Sequence, residues 1–80
     1  MAKEVHEGEA QLREAVELYR RATELRYQGE PHEARAYIVL AIRAGNMALD
    51  RARNRLLCRD VVSFLSAAVA FQDGLASSRR

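Results

Sequence analysis

Two histidines, His6 and His32, are the residues of this chain whose type most readily suggests metal binding or acid–base chemistry. Di-metal centres in helical bundles use Glu-x-x-His pairs, and neither histidine belongs to such a pair. The residue four positions after His32 is Ala36, which offers no ligand atom. Both histidines are therefore expected at the surface, and we predict no metal site.

The spacing between Arg26 and His32 is a second candidate for chemistry. The segment Arg26-Tyr-Gln-Gly-Glu-Pro-His32 resembles the catalytic motif of the HEPN nucleases, a helical RNase family in which a basic residue and an imidazole would serve RNA cleavage. HEPN domains are usually longer than this chain and begin the motif differently. An RNA-binding or HEPN-like helical domain is therefore a minor alternative.

Cys58 is the single cysteine, so the chain forms no internal disulfide. It follows Leu57 and precedes Val62 by four residues, and we therefore expect a buried, reduced thiol, which suits the cytosol. No His lies near Cys58 in sequence, and neither a Ser-His-Asp arrangement nor a glycine-rich phosphate loop is identifiable. The sequence predicts a protein that is not an enzyme and that needs no cofactor.

Charge is distributed unevenly along the chain. Residues 1–33 carry five basic residues and eight Glu, a net charge of −3, and residues 34–80 carry eight Arg and three Asp, a net charge of +5. The pattern indicates an acidic helix beside a basic one, with a basic docking surface as the alternative. Arg51, Arg55 and Arg59 are spaced four residues apart and would form a row if that stretch is helical. No aromatic residue for base stacking is interspersed in this row, so nucleic acid is not favoured as a partner.

Composition and hydrophobic spacing predict an all-α fold. Hydrophobic residues make up 49% of the chain, with four Gly and one Pro, and a chain of 80 residues forms one domain, residues 1–80, with a thin core. Apolar residues recur at 3–4 spacing in three segments, which indicates an antiparallel three-helix bundle. We place the helices at about 4–28, 32–53 and 56–76, followed by a frayed polar tail at 77–80.

The second predicted helix is the central one, because it is apolar on most sides. One of its rows consists almost entirely of small residues, which allow a neighbouring backbone to approach closely: Ala34, Ile38, Ala41, Gly45, Ala48 and Ala52. Gly45-Asn46 could divide this helix, but we prefer a tolerated glycine at a close helix contact. The turn before it contains Gly29 and Pro31, which end one helix and begin the next.

The boundary between the second and third helices is less marked, since residues 50–60 contain neither Gly nor Pro. Asn54 or Asp60 could cap a new helix. Without a break, residues 32–76 would form a rod about 67 Å long, which would require a dimer to bury its apolar face. We favour the break.

The third helix carries more apolar surface than one bundle face requires. Its first stripe is Leu57, Val61, Phe64, Ala68, Phe71 and Leu75, and its second is Cys58, Val62, Leu65 and Val69. The second stripe either completes a broad core face or forms a groove that a partner helix could occupy. The most apolar stretch, Val61–Phe71, is shorter than the roughly 20 residues that cross a bilayer. The N-terminus also has no apolar signal segment, so we expect a cytoplasmic protein.

The first half of the chain resembles the first helical hairpin of MIT (microtubule-interacting and trafficking) domains. The resemblance rests on Ala15-Val-Glu-Leu18, Ala22-Thr-Glu24, Gly29 and Glu33-Ala34, followed by Tyr37, Ala41 and Ile42. The Gly-x-x-x-Glu-Ala pattern also occurs in tetratricopeptide repeats, which share this hairpin geometry. A weaker likeness connects Gly45–Arg53 with the core hairpin of ESCRT-III subunits.

The MIT resemblance implies a non-enzymatic adaptor that binds short helical tails of ESCRT-III-type partners, in a groove between helices 1 and 3 or helices 2 and 3. Mapped on this chain, the helix 2/3 groove would involve Ile42, Leu49, Val62, Leu65 and Val69. The alternative is a homo-oligomer whose second apolar stripe is its own interface. The regular apolar spacing would also suit a designed or heavily engineered bundle.

Overall fold

A computed structural model of the protein describes residues 8–77. These residues form three α-helices and no strand: α1 (Glu9–Tyr27), α2 (Pro31–Arg51) and α3 (Arg55–Ser77). The predicted all-α three-helix bundle is confirmed, with boundaries that move by a few residues. His6, the first residues of the predicted helix 4–28 and residues 78–80 of the predicted tail lie outside the described range.

Glycine sets the start of α1. Gly8 has a φ of 92°, in the left-handed region that non-glycine residues seldom adopt, and its carbonyl accepts a hydrogen bond from the Leu12 amide at 3.0 Å. A Cβ at this position would lie 2.7 Å from the carbonyl oxygen of Ala48. The first residue of the described chain therefore packs directly on the backbone of α2.

The turn between α1 and α2 follows the prediction. Gly29 has a φ of 79°, and its amide donates to the Arg26 carbonyl, while the Glu30 amide donates to the Leu25 carbonyl. This pair of bonds is the Schellman arrangement, which satisfies carbonyls at the end of a helix. Pro31 then occupies the first turn of α2, where its missing N–H leaves no helical bond unmade.

The small-residue row of α2 lies in the core, as its spacing predicts. The buried residues of this helix are Ala34, Ile38, Ala41, Gly45 and Ala48, and α2 packs against both other helices. The helix continues through Gly45-Asn46. A Cβ on Gly45 would come within 2.7 Å of Leu65 Cδ2 and 3.2 Å of Phe64 Cε2. Gly45 is thus a close contact point between α2 and α3, which confirms the preferred interpretation.

A short break separates α2 from α3. Ala52 has extended backbone angles, φ −67° and ψ 130°, and the Asn54 side-chain oxygen accepts a hydrogen bond from the Leu57 amide at 2.7 Å. Asn54 therefore caps α3, and a single helix over 32–76 does not form. The predicted row of three arginines does not form either, because Arg51 ends α2 while Arg55 and Arg59 belong to α3.

The contact between α1 and α3 depends on aromatic side chains. The backbones of these two helices approach each other at few points. The Tyr19 ring bridges them, with centroids 5.7 Å from Phe64 and 5.5 Å from Phe71, both in edge-to-face geometry. These rings pack on the core formed by residues such as Ile38 and Leu75.

The predicted acidic helix is not α1. As the structure bounds it, α1 contains four Glu and four Arg, so its net charge is zero, and the acidic surplus of residues 1–33 lies outside it. The ion pairs described for α1 stay within that helix: Arg20 with Glu17 and Glu24, and Arg21 with Glu24. Exposed pairs of this kind each contribute less than about 1 kcal/mol and do not fix which helices pair.

Candidate partner-binding site

The five residues of the predicted partner groove divide into two groups. Ile42, Leu49 and Leu65 are half-buried and pack against the core. Val62 and Val69 are exposed, at 50% and 45% of their surface. The first three therefore hold α2 and α3 together, whereas the two valines are free to contact another molecule.

Around these valines the surface forms a shallow depression of about 480 Å³. Its lining comes entirely from α3: Val62, Leu65, Ser66, Val69, Ala70 and Asp73. The apolar surface therefore lies on α3 itself, beside the groove between α2 and α3 that the sequence predicts. We call the exposed residues of this helix between positions 62 and 70 the α3 outer face: Val62, Ser63, Ser66, Ala67, Val69 and Ala70.

The α3 outer face carries no charge over about three helical turns. Residues 61–72 contain no Asp, Glu, Lys, Arg or His, although half of them are exposed. A solvent-facing helix surface is normally rich in charged residues. The charged side chains that border the face are Arg59 and Asp60 at one end and Asp73 at the other, and all three are exposed.

Other exposed apolar residues are interrupted by charge. Val16 on α1 is 46% exposed, but Arg13 and Arg20 lie one turn before and after it. Leu40 and Met47 on α2 are seven residues apart, and Arg43 lies between them. Single exposed apolar residues are ordinary, and a continuous surface of them is the feature that marks an interaction site.

A second depression, of about 350 Å³, lies between α1 and α3 and is lined by Thr23, Arg26, Tyr27 and Phe71. The Arg26 guanidinium lies 5.6 Å from the centre of the Phe71 ring, a cation–π contact. His32 is exposed in the first turn of α2, as predicted, and no contact described within residues 8–77 joins it to Arg26. The geometry therefore adds no support for a HEPN-like pair.

Cys58 is half-buried rather than buried, because it lies at the edge of the packed side of α3. Within the described part of the chain, no group of three His, Cys, Asp or Glu side chains could hold a metal ion. Among the three helices described here, none is both long enough and apolar enough to cross a membrane.

Comparisons with protein-family models, with curated proteins and with solved structures find no match to this chain. The resemblance to MIT domains consequently stays a prediction, and the surface of α3 provides the basis for a functional proposal.

Proposed function

We propose that this protein is a non-enzymatic, MIT-like interaction module that binds a partner helix on the α3 outer face. The observation that carries the proposal is the continuous uncharged, exposed surface between Val62 and Ala70. Water contacts these apolar side chains in the free chain, and a partner that covers them gains the free energy of removing that surface from water. An amphipathic helix laid along a second helix is a common way to do so.

The five predicted residues have distinct roles in this proposal. Val62 and Val69 contact the partner, and their half-exposed surfaces each contribute about 1 kcal/mol when covered. Ile42, Leu49 and Leu65 form the support beneath, since they are half-buried against the core and fix the position of α3 relative to α2. A contact of this size gives a weak, reversible complex.

A cytoplasmic location is part of the proposal. It rests on the single Cys58, which is unable to form an internal disulfide and suits a reducing compartment.

The proposal is tested with a display library of amphipathic helical peptides selected against the full chain. We expect selected peptides to shift the amide NMR signals of Val62, Leu65 and Val69, and to lose binding in Val62→Asp and Val69→Asp. The matched control is Val16→Asp, because Val16 has nearly the same exposure but lies on α1. Selection of no binder, or of binders that Val62→Asp does not affect, contradicts the proposal.

A further inference from the structure

Two of the charged residues that border the α3 outer face, Arg59 and Asp73, are placed symmetrically about its centre. Arg59, Ser66 and Asp73 are each seven residues apart, so they lie along one side of the helix. All three are exposed. A positive residue thus stands at one end of the uncharged surface and a negative residue at the other, at equal distances from Ser66.

This placement makes the surface complementary to the same surface of a second copy in the opposite orientation. If two copies of α3 lie antiparallel with a two-fold axis at Ser66, each Arg59 comes opposite the Asp73 of the other copy. Such an isologous contact forms the same ion pair twice. A parallel arrangement would instead oppose Arg59 to Arg59 and Asp73 to Asp73, and like charges at an interface disfavour binding.

The apolar side chains also meet in this arrangement. Val62 and Val69 lie seven residues apart on one side of the Ser66 line, and Ser63 and Ala70 lie on the other side. A two-fold axis between antiparallel helices brings like sides together, so Val62 of one copy lies against Val69 of the other, and Ser63 lies against Ala70. The valines therefore cover one another from water, and the small residues allow the two helices to approach closely. Arg43 lies within the apolar row of α2 and two arginines flank the apolar residue of α1, so neither surface has this arrangement.

From the positions of Arg59 and Asp73 and from the valine contact we infer that the helix bound by the α3 outer face is α3 of a second copy of this chain, in antiparallel orientation. The inference rests on the proposed function and names its partner. The contact from Arg59 to Asp73 extends for about 21 Å. That length is short for a stable dimer, and we expect a dissociation constant on the order of 10–100 µM.

A charge-exchange experiment by sedimentation equilibrium tests the orientation, with concentrations from about 5 µM to 1 mM chosen to span the expected dissociation constant. Arg59→Asp and Asp73→Arg should each weaken the dimer about tenfold, because each opposes like charges. An equimolar mixture of these two variants should associate more tightly than either alone, and the double variant should recover the wild-type dimer. Arg13→Asp on α1 is the control, and circular dichroism checks that each variant is folded.

The outcomes distinguish this inference from the proposed function. A wild-type chain that stays monomeric to 1 mM, or a mixture no tighter than its components, overturns the antiparallel dimer. If such a monomer still binds library helices at Val62 and Val69, only this inference fails. If it binds no helix at all, the proposed function fails with it.

Disulfide trapping tests the register independently. In a Cys58→Ser background, Ser66→Cys places one thiol from each copy at the two-fold axis, and we expect rapid oxidation to a covalent dimer. Ser63→Cys, in the same background, places its two thiols about 9 Å apart along the helix direction. This separation exceeds what a disulfide spans without movement of the backbone. Slow cross-linking at Ser66, or equal rates at both positions, overturns the proposed register.

Discussion

Gly45 of α2 packs against Leu65 of α3: a Cβ built on Gly45 would lie 2.7 Å from Cδ2 of Leu65. Real Cβ atoms do not come this close to another carbon, so the packing of the two helices depends on the missing side chain. The neighbouring side chain on α3 is close as well, since the Phe64 ring would meet the same Cβ at 3.2 Å.

Gly45→Ala should therefore lower the free energy of unfolding, although alanine favours a helix. The helix preference adds about 1 kcal/mol, and overpacking at a close contact removes about 1–3 kcal/mol. Gly74→Ala is the matched control on α3, because the nearest atom to its added Cβ is Arg26 Nη1 at 3.7 Å, an ordinary contact. The free energy of unfolding of Gly74→Ala should rise by up to about 1 kcal/mol. Urea unfolding of both variants gives the comparison.

A second substitution tests whether Leu65 is the neighbour that makes Gly45→Ala destabilising. Leu65→Val shortens the side chain that opposes Gly45, so the double variant should be more stable than the sum of the two single changes predicts. Equal stabilisation by Gly45→Ala and Gly74→Ala would show that α2 and α3 do not approach as closely as described.

Gly8 and Gly29 both have positive φ but differ in their surroundings. Gly29→Ala should lower the free energy of unfolding by about 1–2 kcal/mol, from the left-handed backbone alone, since nothing lies within 4 Å of an added Cβ. Gly8→Ala should have the larger effect, because its Cβ would also lie 2.7 Å from the Ala48 carbonyl oxygen, and backbone atoms yield less readily than side chains. Thermal unfolding ranks the two, and a milder effect at Gly8 would contradict the described start of α1.

Asn54 and Asn46 allow the cap of α3 to be measured. Asn54→Ala removes the acceptor of the Leu57 amide and should lower the free energy of unfolding by about 0.5–2 kcal/mol. Asn54→Asp keeps the acceptor and should retain most of that stability. Asn46→Ala, at an exposed position inside α2, should be neutral or slightly stabilising, because alanine is the better helix former. If Asn54→Ala and Asn46→Ala lower the free energy of unfolding by similar amounts, a capping role for Asn54 is excluded.

The sequence predicts this fold well where short-range rules determine it. The turn at Gly29-Glu30-Pro31 follows from the conformations that Gly and Pro allow, and the buried row of α2 follows from its 3–4 spacing. The break before α3 is weaker in the sequence, since only the capping preference of Asn54 indicates it. The left-handed Gly8 was missed because the same residue type is also tolerated within a helix.

The candidate site could be predicted only in part, for a tertiary reason. Val62, Leu65 and Val69 form one stripe in the sequence, yet Leu65 turns out half-buried because it packs over Gly45 of another helix. Which residues of a stripe stay exposed depends on how closely the neighbouring helix approaches. The residue spacing within one helix gives no information about that distance. The same holds for the bridging role of Tyr19, which depends on where α3 lies.

Tyr19 provides the test of the contact between α1 and α3. Tyr19→Ala removes a ring that lies edge-to-face with both Phe64 and Phe71, and should lower the free energy of unfolding by about 2–3 kcal/mol, less than for a fully buried ring because Tyr19 is half-buried. Tyr19→Phe keeps the ring and should stay within about 0.5 kcal/mol of wild type.

The matched control for this change is Tyr27→Ala, at the end of the same helix. Tyr27 is 93% exposed, so its loss should alter the free energy of unfolding by less than about 0.5 kcal/mol. For a domain of this size, the Tyr19→Ala effect corresponds to a fall in melting temperature of about 8 °C or more, well above the error of a thermal scan. If Tyr19→Ala and Tyr27→Ala unfold at the same temperature, α1 and α3 are not held together by the Tyr19 ring, and α2 alone must hold both helices.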